Sequence, residues 1–125
     1  MFGWFIELHR QKDGGALPAT LNSEEGQRIA VWQTGLDGVD WLFELARAGK
    51  GLDLGGGGYP DRFTAPAKEI IPRIIEAPPQ ARERWIAGEE QVFVGPWAGE
   101  TKIDREALAA CKPDEWLLIQ AWDES

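Results

Sequence analysis

Trp116-Leu117-Leu118-Ile119-Gln120-Ala121-Trp122 is apolar on both faces when extended. A strand of that kind belongs in the middle of a sheet, with a layer or a loop against each side. It sets the frame into which the rest of the chain must fit. At the other end, residues 2–8 read FGWFIEL. Phe2, Trp4, Ile6 and Leu8 alternate with Gly3, Phe5 and Glu7, the period-two pattern of a half-buried strand. Lys12-Asp13-Gly14-Gly15 then reads as a turn, because glycine takes positive φ without steric cost. Residues 16–27 carry Pro18, Asn22, Ser23 and Gly26 and read as a loop. RIAVWQT, residues 28–34, reads as the second strand.

Helical signals lie between these strands. DGVDWLFELARAG, residues 37–49, has Asp37 as a candidate cap and Asp40 three residues on, in the manner of a capping box. Arg47 stands in its last turn and Gly49 at its end. GLDL reads as a short strand before the four glycines 55–58. The segment 65–76 predicts a helix with Pro72 as a kink point. A second short helix is expected from Pro79, ending at Gly88, and a strand over 91–94. Asp104 caps a last helix, with Ile103 and Leu108 at the two positions of a hydrophobic staple. The expected architecture is α+β: one domain over 1–125, a mostly antiparallel sheet of four to five strands, and three to four helices packed on it.

Composition limits the chemistry. The 125 residues fit one domain, and 43% hydrophobic with 27% charged residues is ordinary for a globular chain. Twenty-one acidic against 13 basic residues give a net charge of −8, which argues against direct binding of nucleic acid or an anionic membrane. One Cys excludes an intrachain disulfide, and with a single His it leaves too few ligands for zinc. The only serines, Ser23 and Ser125, sit in no nucleophile elbow. A Cys111–His9 dyad is weighed against the ordinary reading of a buried helix Cys and a solvated His in the run HRQKD. Asp37/Asp40, Glu89/Glu90 and Asp114/Glu115 fall at or beside element ends and read as caps and solvated faces. LDLGGGG resembles a phosphate-cradling loop only superficially, since Tyr59-Pro60 follows it where a helix N-terminus is needed. No metal and no cofactor are expected. The apolar run Phe2 to Ile6 is too short for a secretory leader, and the expected location is the cytoplasm.

What remains is charge and indole. Residues 86–125 hold nine acidic and three basic groups, most of the imbalance. The chain has seven Trp against one Tyr. Trp97 lies in the loop GPWAGE beside Glu100, and Trp122 adjoins Asp123 and Glu124. Carboxylates steer an encounter with a basic partner, and Trp is enriched among binding hot spots. The expectation is a non-enzymatic acidic binding protein that blocks a basic surface. The partner would be a nuclease or a nucleic-acid-guided complex, as for toxin-immunity proteins and phage anti-defence inhibitors. Its expected contact residues are Trp97, Glu100, Asp114, Glu115, Trp122, Asp123 and Glu124. One alternative is a small-molecule enzyme or anionic-ligand module on the Gly55–Phe63 loop, using Tyr59, Arg62 and Phe63. The other is a homo-oligomeric structural subunit with the excess Trp at a self-interface.

Overall fold

Residues 116–123 do form an interior strand, β6 (Trp116–Asp123), paired antiparallel on both sides. One neighbour is β1 (Trp4–Gln11) and the other is β4 (Asp61–Pro66). A computed structural model describes residues 3–74 and 102–123. Beyond β1 lies β2 (Glu25–Thr34), and beyond that the two-residue β5 (Lys102–Ile103). Beyond β4 lies β3 (Leu52–Gly55). The order across the sheet is β3-β4-β6-β1-β2-β5, and every pairing is antiparallel.

The described residues thus contain six strands, where the sequence predicted four or five. The addition is β4. Its sequence DRFTAP carries an Arg and a Pro and has no strong strand signature. It is extended because its backbone pairs with β3 on one side and β6 on the other. Pro66 ends it, so the helix expected over 65–76 starts two residues later, as α2 (Ala67–Ile74 within the described residues), which contains Pro72.

Among the described residues three helices pack on one face of the sheet. α1 (Asp40–Arg47) buries Leu42 and Leu45, α2 buries Ala67, Ile70 and Ile74, and α3 (Arg105–Ala110) buries Ala107 and Leu108. They meet Ile6, Leu8, Trp32, Phe63, Leu117 and Ile119 in one apolar cluster. Each such side chain, fully buried, contributes about 1.5–3 kcal/mol of transfer free energy. Two ring contacts fix the orientation of α1: Trp41 stacks on Trp32 at 6.4 Å, and Phe43 meets Phe63 edge-on at 5.2 Å.

Helix ends divide into one that matches the sequence reading and one that does not. The Asp104 side chain accepts from the Ala107 N–H at 3.0 Å, as a cap should. At α1 the position before the helix is Val39, with no side-chain cap, and a 3-10 turn (Leu36–Val39) leads the chain in. The candidate helix after Pro79 and the candidate strand 91–94 lie outside the described residues.

Candidate functional site

The sheet's second face, away from the helices, is polar where the first is apolar. Pleating puts Glu7 and His9 of β1 on it, with Gln120 and Leu118 of β6 as their cross-strand partners. Arg62 of β4 stands opposite Gln120, and Arg28 of β2 opposite His9. Register shifts between β1 and β2 bend this part of the sheet. Gln120 Nε2 donates to Glu25 Oε2, although β1 lies between their strands. The two side chains therefore bridge over β1. Arg62 extends the bridge, approaching Glu25 at 3.5 Å and donating to the carbonyls of Leu21 and Ser23 at 2.7 and 3.2 Å. Those bonds tie the 16–24 loop to this face.

Glu7 is the hub of the remaining contacts. Its Oε1 accepts from Trp122 Nε1 at 3.1 Å, and its Oε2 accepts from Arg28 at 3.2 Å. His9 Nε2 lies 3.6 Å from the same Oε1, too long for a formed hydrogen bond but close enough for a charge to be felt. His9, Trp122 and Arg28 hold the Glu7 carboxyl below its ordinary pKa, with His9 the largest influence and burial pulling the other way. His9 is only 6% exposed, which overturns the expectation of a solvated imidazole. Among the described residues neither of its nitrogens has a hydrogen-bond partner.

At one end of this face two stretches of chain meet. Asp123 N–H donates to Gly58 O at 2.9 Å, joining the end of β6 to the β3–β4 turn. The turn needs its glycines. Gly56 has φ +130°, and a Cβ there would lie 2.0 Å from the Pro60 carbonyl oxygen. Gly58, at φ +90°, donates to Asp61 Oδ1 at 2.9 Å and lies against the Asp123 side chain. The peptide bond after Tyr59 is cis. Tyr59 is 72% exposed and Trp122 37% exposed. Residues 51–61 and 116–123, the two stretches that meet here, include Asp53, Asp61 and Asp123 and contain no Lys or Arg. This junction is the rim.

The predicted contact residues separate on this frame. Trp122 and Asp123 stand on the rim. Asp114 and Glu115 precede the opposite end of β6, about 23 Å away at the usual rise per residue. Asp114 is exposed beside Lys68, at 3.3 Å. Glu115 is not available for contact: its side chain is 4% exposed and takes two hydrogen bonds from Arg10, at 2.8 and 3.0 Å. The acidic residues 114–123 are therefore not one continuous patch. Trp97, Glu100 and Glu124 lie outside the described residues.

Tyr59, Arg62 and Phe63 are also dispersed. Tyr59 faces solvent, Arg62 is engaged on the polar face, and Phe63 is buried in the core. Adjacent strand residues point to opposite faces, so Arg62 and Phe63 could not have lined one pocket. A groove of about 500 Å³ does exist elsewhere, between the turn after β1 and the 17–24 loop, with Gln11, Leu17, Asn22 and Glu24 in its wall. Cys111 packs beside the apolar cluster on the helix face, where burial raises its pKa, whereas His9 is on the other face. The two cannot form a dyad. Among the described residues no group of three His, Cys, Asp or Glu side chains could hold a metal ion, and no helix is long and apolar enough to cross a membrane.

Sequence reasoning missed Glu7, His9, Arg28 and Gln120. The available signal was Glu7 inside the apolar run Trp4–Leu8 and Gln120 inside the apolar run Trp116–Trp122. No protein-family model matches the chain, and neither a curated protein nor a solved structure does.

Proposed function

We propose that this is a non-enzymatic binding protein that presents an acidic, aromatic rim to a basic surface on another protein. The partner class is a nucleic-acid-handling protein, such as a nuclease or a nucleic-acid-guided complex. Occupying its basic groove would exclude the phosphate backbone, as toxin-immunity proteins and phage anti-defence inhibitors do. The observation that carries this reading is the Asp123–Gly58 hydrogen bond. It joins two chain stretches that hold acids and no bases, and each supplies an exposed aromatic ring. Aromatic rings beside carboxylates suit Arg and Lys side chains, which can stack on the ring and pair with the acid. The net charge of −8 would speed the encounter and make it salt-sensitive.

The relocation of the surface matters to the reading. Trp122 and Asp123 come from the expected contact set, and Tyr59 comes from the alternative ligand site. The anionic-ligand module loses its support, because Tyr59, Arg62 and Phe63 diverge.

The test is an unbiased pull-down in low and in high salt, run with the natural protein, with the Tyr59→Ala/Trp122→Ala variant, and with Asp114→Asn as control. The expected result is a basic protein retained by the natural chain and by the control, lost at high salt and lost from the rim variant. Equal retention by the rim variant would reject the rim as the contact surface.

A further inference from the structure

We propose that Glu7 couples proton uptake by His9 to the Trp122 indole, so that the rim is loosened by acid. This rests on the binding role of the rim for its consequence, but not for the coupling itself, which belongs to the free protein.

The argument starts from strand register. On β1, Phe5 pairs with Trp122 and His9 pairs with Leu118. Glu7 lies midway. Trp122 and His9 therefore approach the Glu7 carboxylate from opposite directions along β1, at the same oxygen, Oε1. The indole N–H is hydrogen-bonded at 3.1 Å, and the imidazole Nε2 stands off at 3.6 Å. A neutral imidazole has one donor nitrogen, and an imidazolium has two. Once His9 is protonated, its Nε2–H needs an acceptor. Both its nitrogens are buried without a partner among the described residues, and Glu7 Oε1 is within reach. Closing from 3.6 Å to the usual charge-assisted distance takes a movement of about 0.8 Å. That movement draws the carboxylate away from Trp122. The new positive charge also cancels the negative charge that held the indole N–H.

The surroundings leave few competitors. Of the described charged groups, His9 faces Glu7 on its own strand and Arg28 across on β2. Arg28 is engaged by Glu7 Oε2. Glu25 of β2 and Arg62 of β4 lie further off and are joined to each other and to Gln120. β6 contributes Leu118, Gln120 and Trp122 on this face, none of which titrates. His9 is also the single histidine of the chain, so an imidazole signal has one source.

The experiment is a pH titration of ¹⁵N-labelled full-length protein between about pH 8 and pH 5, the interval in which imidazoles change charge. It follows the Trp122 indole N–H and the His9 ring carbons together. The expected result is one transition shared by both, with the indole proton moving upfield as its hydrogen bond weakens. In His9→Gln the indole transition disappears. In Glu7→Gln the imidazole transition persists while the indole no longer follows it. A flat indole signal while His9 titrates would overturn the coupling, and so would an indole transition that survives in His9→Gln. A His9 that stays uncharged throughout in the folded protein would overturn it as well. A missing basic partner would instead count against the rim's binding role and leave this titration readable.

Discussion

The two ends of β6 carry nearly mirrored chemistry: Asp114-Glu115-Trp116 at the start and Trp122-Asp123-Glu124 at the finish. Topology gives them different work. At the start, β1 delivers Arg10 and α2 delivers Lys68, so the acids are engaged, and Glu115 is nearly sealed from water. The backbone also closes here, with Trp116 N–H donating to Gly15 O and Glu115 O accepting from Ala67 N–H. At the finish, the strand meets the glycine turn through the Asp123 N–H and Gly58 O. The same residue types are locked into a structural clamp in one place and leave the Trp122 ring exposed in the other. Local composition does not distinguish them; what the neighbouring strands and helices deliver does.

The comparison breaks most sharply at Arg10. Arg10→Met leaves a buried carboxylate without its bidentate partner, and should lower stability by about 2–4 kcal/mol in a urea melt. A loss under about 1 kcal/mol would mean that Glu115 is solvated after all. The turn is next. Gly56→Ala places a Cβ 2.0 Å from the Pro60 oxygen at a positive φ, and should cost about 1–3 kcal/mol and shift the amide resonances of Tyr59 and Asp123. An unperturbed spectrum would show that the turn does not position the rim.

Glu7 sharpens the contrast through pH. Its folded pKa lies below that of an ordinary glutamate, so its contribution is fully present above the ordinary value and is lost as pH falls through the folded pKa. Glu7→Gln should therefore destabilise the protein by about 1 kcal/mol at neutral pH. Below the ordinary carboxylate range, where Glu7 takes up its own proton, the gap between variant and natural protein should close. A gap that stays open there would contradict the assigned direction. The smallest effect is expected at Asp114. Its pair with Lys68 is solvent-exposed, and Asp114→Asn should change stability by less than about 0.5 kcal/mol, with no effect on partner retention.

How far these features were legible depended on how local their causes are. The Asp104 cap was readable because a carboxylate three residues before a helical N–H needs nothing else. β1 and β6 were readable from alternation and from doubly apolar faces. β4 was not, since its extended state comes from partners ten and more than fifty residues away. His9 was misjudged for a related reason. In HRQKD it resembles a solvated charge run, but a strand sends alternate residues to opposite faces, and the Gln120–Glu25 bridge encloses the face that His9 occupies. The acidic tail looked like one patch because a sequence records charges in order, and an eight-residue strand separates its ends.

The sheet's flanks carry a further consequence. β3 has four residues with Asp53 inside it, and β5, as described, has two. An open strand edge can template the docking of further chains, and its hazard grows with length and apolar content. On the β3 flank, four residues with Asp53 among them give such docking little to start from.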